Sequence, residues 1–218
     1  MCANYQPVTA RDRLLAHFGV ERPRDEVPTE VFPQQLAPFI WRRPDELELQ
    51  RQAQHGLFGL IPHWCKDLAL GRRTYNARSE TAAQKPSFKD SWLRGRRCVI
   101  PADAIYEPCY GTGRAVRWRI SRSDGRPMGI AGLWGWWRDP HTRREVLSFT
   151  MLTVNADDHP LMRRFHKPGD EKRMPVILDE SDYDGWLDCP PQRMMEYMRQ
   201  FPAERLHAEP APMPPRQR

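Results

Sequence analysis

Residues Val116–Trp134, reading V-R-W-R-I-S-R-S-D-G-R-P-M-G-I-A-G-L-W, decide the fold class. Two runs rich in β-branched and aromatic side chains, Val116 to Ser121 and Met128 to Trp134, flank Ser123-Asp124-Gly125. Asp-Gly tolerates the positive φ angles of a tight reversal, so this pattern predicts a hairpin. Outward from it, Arg97 to Pro101, Val146 to Asn155 and Met174 to Leu178 have the composition of further strands. Leu57 to Trp64 reads as a strand entering a turn at Pro62. Ala37 to Trp41 reads as one short strand within Glu21 to Pro44, a stretch rich in proline and charge.

Helices are few and short. Thr9 is placed to cap one that carries Leu14, Leu15 and Phe18 and ends at Gly19. Ser79 to Leu93 divides at Pro86 into two helical pieces. Ser181 to Leu187 and Gln192 to Phe201 are two more, the second with Met194, Met195 and Met198 as packing residues on one side. From Ala203 onward the chain is rich in proline and has little to bury. The expectation is an α+β fold: a single compact β-rich domain over residues 2–202, mixed sheets forming an open barrel-like core, with flanking short helices. A flexible Pro-rich tail follows over residues 203–218.

With 218 residues, the chain can bury one substantial core. No apolar run approaches a membrane span, and Arg11, Asp12 and Arg13 interrupt any signal-peptide pattern near the start. A cytoplasmic monomer with no membrane partner is expected. Five cysteines, Cys2, Cys65, Cys98, Cys109 and Cys189, are odd in number and form no C-x-x-C pair. Free thiols in a reducing compartment fit this spacing, and neither a metal nor a cofactor is expected. The net charge of +6 is carried mostly by arginine, since Lys66, Lys85, Lys89, Lys167 and Lys172 are the only lysines among 34 basic residues. A planar guanidinium suits bidentate phosphate contacts and favours a polyanionic partner, although a GC-rich genome gives the same bias.

Cys2 is the first residue with distinctive chemistry. Removal of Met1 by methionine aminopeptidase exposes a free amine and a free thiol on adjacent carbons, a 1,2-aminothiol. With ordinary pKa values of roughly 7.7 to 8.0 for the amine and about 8.5 for the thiol, both groups are partly nucleophilic near neutrality. An aldehyde can form a Schiff base with the nitrogen and then close through sulfur into a thiazolidine. The alternative is a cysteine in second position by chance. Tyr75-Asn76-Ala77-Arg78-Ser79-Glu80 gathers an amide, a guanidinium and a carboxylate at a predicted strand-to-helix transition, which is either a polar cleft wall or a capped helix start. Glu107 is either a general acid or a solvated loop carboxylate. His159 and His166, near Arg163, Arg164 and Lys167, are proton shuttles or surface residues. Trp64 follows Pro62 and His63 in a predicted loop, where its ring can stack on a base.

In this order along the chain, several stretches resemble the SOS response-associated peptidase (SRAP) family. They are Met1-Cys2, Gly59-Leu60-Ile61-Pro62-His63-Trp64, Asn76-Ala77-Arg78-Ser79-Glu80-Thr81, Arg97-Cys98-Val99-Ile100-Pro101-Ala102-Asp103, Tyr106-Glu107, and His166 followed by Arg173-Met174-Pro175-Val176-Ile177-Leu178. The resemblance covers residues 2 to 178 and implies covalent capture of abasic sites in single-stranded DNA, as a thiazolidine on Cys2, during the DNA damage response. It further implies that Asn76 holds the N-terminus and a sugar oxygen. Glu107 moves protons in ring opening and closure. His166 assists Schiff-base formation and any strand-cleaving lyase side reaction. Arg78 is implied as a phosphate contact, with Trp64 stacking beside the lesion and Pro33 lining the cleft, and Arg163 and Arg164 are further DNA-binding candidates beside His166.

Two departures from the family pattern stand out. The common start is Met-Cys-Gly-Arg, whereas this chain reads Met1-Cys2-Ala3-Asn4-Tyr5, leaving Arg11 or Arg13 as candidates to replace the missing arginine. Lys167 to Lys172 is inserted between His166 and Arg173, and His159 is the other histidine available to the site. Two other classes remain open: an N-terminal-nucleophile cysteine peptidase or amidohydrolase, with the amine of Cys2 as base, and a passive basic module for single strands.

Overall fold

The Asp124-Gly125 turn forms, with Gly125 at φ 72° and its N–H donating to the carbonyl of Arg122, yet it does not make a hairpin. A computed structural model describes residues 2–24, 26–43 and 50–213. The strands are β1 (Asn4–Pro7), β2 (Leu36–Arg42), β3 (Arg51–Phe58), β4 (Asn76–Arg78), β5 (Arg97–Cys109), β6 (Val116–Arg122), β7 (Met128–Arg138), β8 (Glu145–Asn155), β9 (Arg173–Pro175), β10 (Ile177–Leu178) and β11 (Leu206–Pro210). Four helices, α1 (Arg11–Phe18), α2 (Ser79–Ala82), α3 (Pro86–Leu93) and α4 (Tyr183–Asp188), flank them.

Both β6 and β7 pair with β5, at Ile105–Cys109 and Arg97–Ala102 respectively, and not with each other. Strand β1 pairs with Ala102 to Tyr106, overlapping both registers, so it occupies the opposite edge of β5. The expected hairpin strands therefore follow one another along one edge, and the Asp-Gly turn is a protrusion between them. Reversal happens earlier, between Cys109 and Val116. The 13 residues of β5 explain this, because they offer an edge long enough for two antiparallel partners in series.

Five strands close into a ring: β7 pairs with β8, β8 with β3, β3 with β2, β2 with β5, and β5 with β7. The barrel-like core is thus present, with a parallel β3–β8 pairing among antiparallel ones. Phe39, Phe58 and Phe149 fill it, with ring centroids 5.5 Å and 5.7 Å from Phe149, and Tyr5 of β1 packs edge-on to Phe58 at 5.2 Å. Each fully buried ring contributes roughly 1.5 to 3 kcal/mol of burial free energy. One face of the N-terminal strand is thereby anchored in the core.

Other elements differ from the expectation in their boundaries. The strand expected to start at Leu57 instead ends at Phe58, because Gly59 has φ 121°, a conformation that L side chains rarely adopt. Helix α1 ends at Gly19 in the left-handed conformation as expected, but Ala10 is its N-cap and no side chain caps it. The segment read as helix Gln192 to Phe201 is a 3-10 helix over Pro191–Tyr197. The segment read as a flexible tail from Ala203 forms a 3-10 turn and then β11, which pairs with β6 at Leu206–Pro210. Leu206 is buried and supplies the apolar anchor that a proline count hides. Residues 214–218 of that tail, Pro44 at the end of the charged stretch, and Met1 lie outside the described residues.

Candidate functional site

The site is assembled from four parts of the chain that the barrel brings together. Cys2 lies two residues ahead of the first residue of β1 and is 1% exposed. Strand β4 runs parallel to β8, with Asn76 opposite Met151, and aims the Asn76 amide at the N-terminal segment. Its Nδ2 donates to the carbonyl oxygen of Cys2 at 2.7 Å. This bond fixes the backbone of the residue whose sulfur and nitrogen are chemically useful.

Glu107 lies on β5 and is 1% exposed, so it is a buried strand residue and the solvated-loop alternative is excluded. Its Oε2 is 3.1 Å from Nε2 of His166, which is 8% exposed. His166 has φ 66°, a left-handed conformation adopted by only a few per cent of non-glycine residues, histidine among the more frequent of them. The backbone there is held by its N–H donating to the carbonyl of Pro108 at 2.9 Å, next to a bridge between Phe165 and Cys109. A strained backbone pinned beside Glu107 is how the imidazole reaches the carboxylate.

Electrostatics link these groups to the thiol. Burial first, and the Glu107 carboxylate second, push the Cys2 thiol well above its ordinary range. Tyr75 is raised by burial, then by Cys2 and Glu107, which adds its phenol to the cluster. Asn76 Oδ1, Glu107 Oε1 and both ring nitrogens of His166 are buried with no hydrogen-bond partner among the described residues, so His166 Nε2 lies near the Glu107 carboxylate without a hydrogen bond to it. Buried polar atoms are paired in the great majority of cases, so these atoms keep hydrogen-bonding capacity that the fold itself does not use.

The SOS response associated peptidase (SRAP) family profile matches residues 1–213. The chain belongs to the SRAP family. Abasic site processing protein YoaM of Bacillus subtilis is 32% identical over 193 residues, 86% of this chain and 79% of YoaM. Abasic site processing protein YoqW, also of Bacillus subtilis, is 32% identical over 155 residues, 69% of this chain and 65% of YoqW. Abasic site processing protein HMCES of Gallus gallus is 29% identical over 178 residues, which span 70% of this chain and 50% of HMCES. The match thus spans just under two thirds of YoqW and half of HMCES. A crystal structure of a protein from Bordetella bronchiseptica, 41% identical, superposes with a TM-score of 0.90 over 97% of this chain and 100% of that one.

Around this SRAP cluster the remaining candidates are distributed unevenly. Arg78 ends β4 two residues after Asn76, half-exposed, with its Nη1 2.8 Å from the Glu171 carboxylate. Pro33 sits in the turn after Val31, and Val31 pairs with Tyr5 and accepts from the Asn4 amide, so this turn borders the N-terminal strand. Arg163 and Arg164 are exposed on a 3-10 turn just before His166, with Arg164 over the Trp118 ring at 5.1 Å. Trp64, 52% exposed, lines a groove with Pro86, Lys89 and Leu93 of α3, and this groove includes none of the residues of the Cys2 cluster among the described residues.

His159 is a structural residue. Its Nδ1 accepts from the N–H of Leu161 and Met162, so its Nε2 carries the proton and donates to the carbonyl of Phe201 at 2.8 Å. Both nitrogens are spent. The inserted segment accommodates itself as a turn, Lys167-Pro168-Gly169-Asp170, with Asp170 N–H donating to Lys167 and Gly169 at φ 86°. It projects from the fold without displacing Arg173 from β9.

Arg11 and Arg13 do not stand in for an arginine at position 4: Arg13 pairs with Asp103 at 2.7 Å, and Arg11 lies 3.8 Å from Glu21. A guanidinium nevertheless reaches that position from β6. Arg117 donates to Asn4 Oδ1, and its charge lies 3.5 Å over the Tyr106 ring. Sequence reading missed Arg117 and gave Tyr75 no role. The Arg117 contact spans 113 positions and has no local signature.

Proposed function

We propose that this protein captures abasic sites in single-stranded DNA by forming a covalent thiazolidine with Cys2 after Met1 is removed. The observation that carries the reading is the Cys2 carbonyl held by Asn76 at 2.7 Å, beside a buried Glu107–His166 pair at 3.1 Å. The chain's likeness to YoaM, YoqW and HMCES, which are abasic site processing proteins, supports it. In the ring-opened form an abasic site is an aldehyde. The Cys2 amine adds to its carbon and water leaves, giving a Schiff base. The thiol sulfur then adds to the same carbon, its proton passing to the nitrogen, and the five-membered ring closes.

The residues divide this work by position. A thiol pushed up by burial and by Glu107 is protonated near neutrality, so a base must take its proton as sulfur attacks, and Glu107 is the adjacent carboxylate. Glu107 passes that proton on to the nitrogen, and His166 supplies the proton that the water takes with it in the earlier Schiff-base step. Asn76 Oδ1, unpaired and buried, receives a sugar hydroxyl while Nδ2 holds the terminus. Arg78, Arg163 and Arg164 contact phosphates, Trp64 stacks on a neighbouring base, and Pro33 walls the cleft. The chain acts as a monomer, and the Schiff base is also the point from which β-elimination, a lyase side reaction, departs.

The test is a single-stranded oligonucleotide carrying one abasic site. The expected product is a band shift that survives heat and detergent and is lost in Cys2→Ala and in protein with residues left ahead of Cys2. A shift that persists with the terminal amine blocked overturns the chemistry.

A further inference from the structure

Arg78 is not free in this structure, and the residue that occupies it belongs to the inserted segment after His166. Glu171 Oε2 is 2.8 Å from Arg78 Nη1, while its Oε1 accepts from Arg173 Nη1 at 2.7 Å. Arg173 itself is 3% exposed and does not depend on Glu171 for neutralisation. Glu80 receives both of its terminal nitrogens, at 3.0 Å and 2.8 Å, and the carbonyl of Thr153 accepts a further bond at 2.7 Å. The next residue, Lys172, donates its backbone N–H to Asp157 at 2.8 Å, which anchors the chain beside Glu171. Glu171 is therefore a carboxylate fixed on one side by a buried cation and presented on the other to an exposed one.

We infer that Glu171 is a built-in competitor for the DNA phosphate at Arg78, so that the unliganded protein holds this phosphodiester subsite closed with its own carboxylate. The inference rests on the reading of Arg78 as a phosphate contact. A phosphate that takes the Arg78 fork through both terminal nitrogens needs the Nη1 donor that Glu171 occupies, so bidentate phosphate binding displaces the carboxylate. Exposed pairs of this kind are weak, roughly 0.2 to 1 kcal/mol, so a bound strand can displace Glu171 at a modest loss of affinity. The consequence is discrimination. An undamaged strand, which gains no covalent bond, loses the Arg78 contact or binds more weakly, whereas a captured abasic site is held by its bond to Cys2 regardless.

The experiment uses full-length Cys2→Ala protein, in which binding is purely reversible, and an undamaged single-stranded oligonucleotide followed by fluorescence anisotropy. Glu171→Gln, which keeps the shape and one accepting oxygen for Arg173 but removes the charge and the acceptor that faces Arg78, is expected to tighten binding by about two- to five-fold. The slope of log affinity against log salt should steepen by about 0.7, one released counterion on a single strand. In an Arg78→Ala background the same substitution should give no gain. An unchanged affinity for Glu171→Gln overturns the inference, as does an equal gain with Arg78→Ala, which would assign the effect to net charge alone. Failure of the capture reading shows elsewhere, as absence of a heat-stable product with Cys2 intact, and leaves this measurement readable.

Discussion

Arg117 of β6 donates to the side-chain oxygen of Asn4 through Nη2 at 2.7 Å and Nε at 3.2 Å, and the same Nη2 reaches Glu30 at 2.6 Å. One guanidinium thus joins the strand that follows Cys2 to the loop before β2, while stacking on the ring of Tyr106, the neighbour of Glu107. Arg117→Met leaves a carboxylate and an amide oxygen unpaired in a partly buried position. A loss of about 1.5 to 3 kcal/mol in unfolding free energy is expected, read as a lower urea midpoint. Arg117→Lys should recover only part of it, because an ammonium cannot fork between two acceptors and stack at once. A midpoint for Arg117→Met equal to wild type would mean that backbone pairing alone holds β1.

Asn76 makes a second demand on the same strand. Its donation to the Cys2 carbonyl is buried, so Asn76→Ala removes a hydrogen bond and frees the residue bearing the nucleophile to rotate. A loss of about 1.4 to 2.8 kcal/mol at the transition state corresponds to a roughly 10- to 100-fold slower capture rate under single-turnover conditions. Asn76→Asp should be as slow, since a carboxylate facing a carbonyl repels it. Capture by Asn76→Ala at the wild-type rate would remove Asn76 from the site.

These relationships also show what was readable in the chain and what was not. The turn at Asp124-Gly125 and the strands around it were legible because their signals are local. Their partner was not, because pairing depends on the length of β5, and Pro108 disguises that length. Pro108 fits within the strand because a proline has no N–H to pair, while its carbonyl accepts from His166. Glu107 therefore reads as a loop residue and is in fact buried. The motifs around Cys2, Asn76 and His166 were visible one by one, yet the 74 positions between Cys2 and Asn76 are closed only by the barrel. Contacts without a motif, such as Arg117 to Asn4 and Glu171 to Arg78, left no trace that a single sequence can reveal.

The Cys2 thiol should be a poor nucleophile towards ordinary alkylating agents. Burial and then Glu107 push it up, whereas Cys65 is partly exposed and raised mainly by burial. Peptide mapping after brief iodoacetamide treatment at neutral pH should find Cys65 modified well before Cys2. Glu107→Gln removes the second cause and should accelerate alkylation of Cys2 while leaving Cys65 unchanged. Equal rates at Cys2 in the two proteins would show that the carboxylate does not act on the thiol.

Acid should weaken the fold through the cluster around Arg173. Burial pushes the Glu80 carboxyl up, but the hydrogen bonds and charge of Arg173 outweigh it and leave the group below its ordinary 4.5. Glu171 is lowered from 4.5 too, mainly by its hydrogen bond from Arg173 and further by Asn155 and the charge of Arg78. A carboxyl depressed in the folded state contributes stability that is fully present above its unfolded value and is lost as pH falls through the folded one. The contribution should therefore be constant from neutrality down to about pH 5 and decline below about pH 4.5. Arg173→Met removes the main source of both shifts. Its urea midpoint should fall well short of wild type at pH 7, and the gap should narrow steadily between pH 5 and pH 3. A gap that stays the same across that range would mean that Arg173 stabilises the fold by packing and not by pairing with the two carboxylates.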